Sequence, residues 1–142
     1  MKNKHKRLIR ELEIKATPKR LAILAALANE KRYLSPEDVW GKVKAGFPSL
    51  GLPTVYRNLE EMAQGGLISK IYQPDRRLYY YYCGNQDHHH HFVCDSCRKV
   101  ADIAACLIEP LEKEVRRSLR AKVKSHSLQI NGTCQACLKG GK

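Results

Sequence analysis

Residues 53–82, PTVYRNLEEMAQGGLISKIYQPDRRLYYYY, place a helix signal directly before a strand–turn–strand signal. Pro53-Thr54 opens the segment, Val55, Leu59 and Met62 recur at i, i+4 and i+7, and Gly65-Gly66 closes it. This spacing predicts a helix whose apolar face turns inward, leaving Thr54, Tyr56, Arg57 and Asn58 to point outward near its start. The second half, LISKIYQP-DRR-LYYYY, reads as two extended runs rich in β-branched and aromatic residues around a Pro-Asp turn that carries Arg76 and Arg77. An exposed polar helix face is ordinary, and a cationic turn is often only solvated. In succession they describe a recognition helix and a wing, with Arg76 and Arg77 able to approach a phosphate or a narrow minor groove.

Upstream, TPKRLAILAAL (17–27) has a capping Thr, a Pro at the first helical position, and Leu21, Leu24 and Leu27 at helical spacing with Ile23 beside them. Ser35-Pro36-Glu37-Asp38 repeats the arrangement before Val39, Trp40 and Val43. Two helices are expected here, and with the third they form a helix-turn-helix unit. The charge agrees with a polyanionic partner. Lys plus Arg number 26 against 14 Asp plus Glu, a net +12. Half of that excess falls in residues 1–20, where Lys15, Lys19 and Arg20 join five other cations against Glu11 and Glu13. Alone, this segment reads equally as a solubilising tail or as nucleic-acid binding; the helix-turn-helix decides for the latter.

Downstream, Cys94/Cys97 and Cys134/Cys137 form two Cys-x-x-Cys pairs separated by residues 98–133. Four thiolates supplied as two knuckles are the set a structural zinc ion takes, at about 2.3 Å each in a tetrahedron. A redox dithiol, a pair of disulfides or an iron centre are the competing readings. MKNKHKRLIRELEIK has no apolar stretch of signal-peptide length, so reducing cytosol is the expected compartment and zinc the expected occupant. At 43% hydrophobic residues the chain can furnish a core, without a run long enough to span a bilayer.

Beside the first knuckle stand His88, His89, His90 and His91. Purification tags sit at chain ends, whereas this run is internal. If extended, it alternates, sending His89 and His91 to one face and His88 and His90 to the other, so two metal sites can be built back to back. Lys99–Ile103 reads as a strand, residues 107–122 as an amphipathic helix with Ile108, Leu111, Val115 and Leu119 on one face, and Ser127–Ile130 as another strand. Cys106 is read as a packed residue of that helix. A small sheet with one covering helix leaves an edge and a face for a second copy.

The motifs T-P-K-R (17–20), T-V-Y-R-N-L (54–59), G-G-L-I (65–68), H-H-H-H-F-V-C-D-S-C (88–97) and G-T-C-Q-A-C (132–137), in this order, resemble the ferric uptake regulator family over nearly the whole chain. The resemblance implies an α+β chain: a winged helix-turn-helix DNA-binding domain (1–83), then a small α/β dimerisation domain (84–142) with a four-cysteine zinc site. It implies a homodimer that grips a palindromic, AT-rich operator in double-stranded DNA when a regulatory metal is bound, with Tyr56 and Arg57 at positions that meet DNA. The positions of His89, His91 and Asp102 match a regulatory hinge site completed from the wing's end, where this chain has Cys83. Those of His88, His90, Glu109 and His126 match a second site inside the dimerisation domain.

Two departures bear on the metal. Iron-sensing members carry a histidine where this chain has Tyr33, and a carboxylate where it has Cys83. A thiolate with two imidazoles is softer and favours zinc over ferrous iron, the feature of the family's zinc-uptake repressors, although some of those add an aspartate where Ser69 stands here. The fourth ligand is then Asp102, Ser69 or water. Iron or peroxide sensing is the alternative within the family. A zinc-ribbon nucleic-acid-binding protein would leave the wing unused. An enzyme is disfavoured because neither H-E-x-x-H nor H-x-E with P-C-x-x-C occurs. No small-molecule substrate and no membrane are expected.

Overall fold

The computed structural model describes residues 2–85 and 87–140. Its contacts divide the chain into two compact units, Met1–Asn85 and Gln86–Lys142. Among the described residues no helix is long and apolar enough to cross a membrane.

The first unit holds α1 (Lys2–Glu11), α2 (Pro18–Ala28), α3 (Pro36–Val43), α4 (Leu52–Gln64), β1 (Ser69–Tyr72) and β2 (Leu78–Tyr81). The caps read from sequence are present. Thr17 Oγ1 accepts from the Arg20 amide at 3.2 Å, and Ser35 and Asp38 exchange side-chain bonds with each other's amides at 3.1 and 3.0 Å. Ile23, Leu24, Leu27, Val39, Val55, Leu59 and Met62 are fully enclosed in one core. At roughly 1.5–3 kcal/mol for each large side chain buried, these residues are the main stabilising term of the unit.

The basic N-terminal segment is a helix rather than a tail. His5 and Ile9, one turn apart, face inward at 5% and 0% exposure, while Lys4, Lys6, Arg7 and Arg10 remain in solvent. With only this thin apolar stripe, its periodicity is hidden among the charges.

β1 and β2 pair antiparallel from Ser69↔Tyr81 to Tyr72↔Leu78, and Leu34 adds a bridge to Tyr80 through two backbone bonds of 2.8 and 2.9 Å. This is the wing. At its tip the Asp75 carboxylate accepts from the Arg77 amide (2.8 Å) and from the Tyr79 hydroxyl (3.1 Å), while Arg76 adopts a left-handed backbone, φ 65°.

The second unit contains β3 (His90–Cys94), β4 (Val100–Ile103), α5 (Ile108–Leu119), β5 (Gln129–Gly132) and α6 (Gln135–Lys139). Its sheet runs β4-β3-β5, with β4 antiparallel and β5 parallel to β3. The parallel pairing requires a crossover, and α5 lies in it. The helix stops at Leu119, three residues short of the expected end, because Arg120 turns left-handed (φ 52°) and its amide bonds back to the Val115 carbonyl. No residue of α5 is buried, and Leu111 and Leu119 are 62% and 71% exposed.

Candidate metal centres and nucleic-acid face

The first centre is built by two knuckles. Cys94 ends β3, Cys97 sits in the turn toward β4, and Cys134 caps α6, which carries Cys137. Cys94 Sγ lies 3.8 Å from Cys137 Sγ, and Cys97 Sγ lies 3.6 Å from Cys134 Sγ. A tetrahedron with metal–sulfur arms of about 2.3 Å has edges of about 3.8 Å, so the four sulfurs fit one such ion. All four ligand atoms lie within 4.8 Å of one another. Burial opposes ionisation of Cys94, but amide donors led by Cys134 and Cys97 override it and pull the thiol down to about 6. Both of those amides approach its sulfur, at 3.4 and 3.5 Å. The Cys137 thiol is pushed up to about 12, chiefly by its hydrogen bond with Cys134.

The histidine run alternates as its extended backbone requires. On one face His89 Nε2 and His91 Nε2 are 3.0 Å apart, and each is 3.7 Å from Asp102 Oδ1. Asp102 reaches them because β4 pairs it directly opposite His91. His89 Nδ1 is 2.6 Å from the Asp87 carbonyl, an acceptor that fixes the proton on Nδ1 and leaves Nε2 as a lone-pair donor. Burial lowers the His91 imidazole below its ordinary value, with Asp102 opposing, so the ring tends to the neutral form that metals bind. Cys83 follows the wing two residues after β2, and residues 84–88 separate it from His89.

On the other face His88, His90 and His126 converge, and the residue that meets them is Cys106. Its Sγ lies 3.3 Å from the Nε2 of each imidazole. Two expectations are corrected here. Cys106 is not on the helix but in the connection before α5, and its thiol is not packed away in a core. Glu109 is exposed in the first turn of α5 and lines the same groove as His88, Cys106 and His126, but its carboxylate is not among the four ligand atoms that cluster there. A cysteine outside both Cys-x-x-Cys pairs was the only sequence signal for this role.

On α4, Tyr56 and Arg57 are exposed and Thr54 is half-buried. Tyr56 donates to Glu37 Oε1 at 2.8 Å, a bond that raises the phenol and, with the Glu37 backbone amide, lowers the carboxyl. Asn58 departs from expectation: it is 6% exposed. Its Oδ1 accepts from Arg20 Nε at 2.7 Å and its amide donates to the Thr54 carbonyl at 2.8 Å. Arg20 also donates to Glu61 Oε2 (2.6 Å) and the Lys15 carbonyl (2.9 Å), so its guanidinium braces α2 to α4 instead of standing free. Lys15, Arg76 and Arg77 are exposed and Lys19 is half-exposed.

Known proteins share this architecture. The family model for the ferric uptake regulator family matches residues 11–131. The ferric uptake regulation protein of Bacillus subtilis (strain 168) is 36% identical over 96% of this chain and 96% of its own length. The peroxide operon regulator of the same organism is 28% identical over 92% of this chain and 89% of its own. Among solved structures, a ferric uptake regulator from Francisella tularensis with iron superposes with a TM-score of 0.66 at 31% identity, covering 88% of this chain and 95% of that one. A zinc uptake regulator complexed with zinc and DNA superposes with a TM-score of 0.79, covering 99% and 94%; at 21% identity it speaks to the fold alone. With the winged helix, the cysteine quartet and the two-faced histidine strand in place, this chain belongs to the ferric uptake regulator family of metal-responsive, DNA-binding transcription regulators and is not an enzyme.

Proposed function

We propose that this protein is a metal-dependent repressor of metal-uptake and homeostasis genes, with zinc as the preferred signal. The observation that carries the reading is the donor set. His89, His91 and Asp102 converge on one face of β3, and Cys83 precedes them by a short stretch of chain. Two imidazoles, a carboxylate and a thiolate form a softer set than the oxygen-rich sites that suit ferrous iron or manganese. Zinc also fills the cysteine quartet and holds the second unit folded. His88, His90 and His126 furnish a second site.

Binding of the regulatory metal favours one conformation of the chain over the others, and DNA selects the same conformation. Taking the operator-competent form from a trace to dominance requires about 5.5 kcal/mol of differential affinity. Two copies place two recognition helices on the half-sites of a palindromic, AT-rich operator, with Thr54, Tyr56, Arg57, Lys15, Lys19, Arg76 and Arg77 supplying contacts. The exposed α5 face, together with Ile130 at 44% and Leu128 at 50% exposure, supports pairing with a second copy. The cytoplasm is the matching compartment.

Iron sensing is the second reading, favoured by the 36% identity to a ferric uptake regulation protein. Anaerobic fluorescence anisotropy on a duplex from the protein's own upstream region separates the two, with zinc and ferrous iron titrated into protein that retains its quartet zinc. Zinc switching binding on, with Cys83→Ser abolishing the response, supports the zinc reading. Iron doing so with Cys83→Ser silent reverses it, and no response to either metal refutes metal sensing.

A further inference from the structure

Four potential ligand atoms meet on the face of β3 opposite to His89 and His91. His88 Nε2, His90 Nε2 and His126 Nε2 each stand 3.3 Å from Cys106 Sγ, and His88 and His126 approach each other at 3.2 Å. A neutral thiol carries one hydrogen and each neutral imidazole one more, so this cluster cannot satisfy all its lone pairs by internal hydrogen bonds. A cation at the centre satisfies them together. Zinc arms of about 2.0–2.1 Å to nitrogen and 2.3 Å to sulfur give tetrahedral edges of about 3.3 Å between nitrogens and about 3.6 Å from nitrogen to sulfur. The observed edges lie within a few tenths of an ångström of these values.

We propose that Cys106 supplies the thiolate of a four-coordinate zinc site with His88, His90 and His126, taking the place expected of Glu109. This deepens the second metal site of the proposed function and rests on that reading. Three imidazoles and one thiolate select zinc, or cobalt as its probe, over manganese and ferrous iron, whereas a carboxylate would have left the site harder. His90 anchors the inner side of the site, since it is only 4% exposed. The position of the ligands gives the site a structural role. Cys106 precedes α5 and His126 follows it, so one ion ties both flanks of a helix with no buried residue to β3.

The thiol inventory makes a clean test. The chain has six cysteines. With zinc retained in the quartet and Cys83 replaced by serine, Cys106 is the one thiol left uncommitted. Cobalt(II) is titrated into the full-length Cys83→Ser protein under anaerobic conditions, with displaced zinc followed by a chromophoric indicator and folding by circular dichroism. The expected result is a thiolate-to-cobalt charge-transfer band that grows without zinc release. Adding Cys106→Ser abolishes the band and weakens cobalt binding by at least about tenfold, while adding Glu109→Gln preserves both. A band that is absent from Cys83→Ser protein, or that survives Cys106→Ser, overturns the assignment, as does loss of the metal with Glu109→Gln. Failure of the wider sensing reading appears separately, as DNA binding indifferent to metal.

Discussion

Replacing Arg20 by methionine distinguishes a brace between helices from a contact with DNA phosphate. The guanidinium donates to Asn58 Oδ1, Glu61 Oε2 and the Lys15 carbonyl, and its side chain is 19% exposed against 36% for Glu61. Methionine keeps the apolar stem and removes every donor. The buried Asn58 acceptor left without a partner costs about 1–3 kcal/mol. The ion pair to Glu61, screened by solvent, adds at most about 1 kcal/mol. Arg20→Met should therefore destabilise the first unit by about 1–4 kcal/mol. Trp40 is the only tryptophan and lies in α3, so its fluorescence during urea unfolding reports this unit alone. Duplex binding by the folded variant should keep the wild-type salt dependence. Lys15→Ala or Arg57→Ala should instead lower the slope of log K against log salt by about 2 per dimer, near 0.9 for each phosphate deprived of its cation. The reasoning fails if Arg20→Met leaves stability within about 0.5 kcal/mol of wild type and reduces that slope as the exposed cations do.

Leu59→Ala, which empties a fully buried position on the inner face of α4, should cost about 2–5 kcal/mol by the same Trp40 readout; a loss under about 1 kcal/mol would mean the core is looser than described. Removing zinc from the quartet should abolish the far-ultraviolet signal of the second unit while Trp40 unfolds at its usual denaturant concentration, because the two units have separate cores; a simultaneous loss of both signals would contradict this. His5 is buried against Tyr82, with ring centroids 6.0 Å apart, and burial followed by the neighbouring positive charges, Lys4 among them, lowers its imidazole below the ordinary value. The unfolded chain then binds the proton more readily, so the His5 contribution is complete above about pH 6.5 and is lost as pH falls from there through the folded-state value. The other five histidines lie in the second unit, and His5→Phe should flatten the acid side of the Trp40-monitored stability profile; an unchanged profile would place the acid sensitivity elsewhere.

The sequence by itself determined the helix-turn-helix, the wing and the two knuckles, since each rests on local chemistry. Thr17 and Ser35 cap from within three residues, Val55, Leu59 and Met62 mark one face through helical period, and Cys-x-x-Cys spacing brings two sulfurs to one ion. The opposed directions of the four histidines likewise follow from a strand's two-residue repeat. Tertiary structure alone decided which partners those directions meet. Asn58 has the composition of a groove-facing residue, but the approach of α2 brings Arg20 over it and turns it into part of a brace. The N-terminal helix is charged at six of its ten positions and acquires an inner face only because the core accepts His5 and Ile9. Cys106 and Glu109 are three residues apart on either side of the start of α5, and periodicity cannot rank them as ligands. The point at which α5 begins, one residue beyond Leu107, leaves Cys106 in the connection that reaches His88, His90 and His126, while Glu109 stays exposed on the first turn and outside the cluster of ligand atoms.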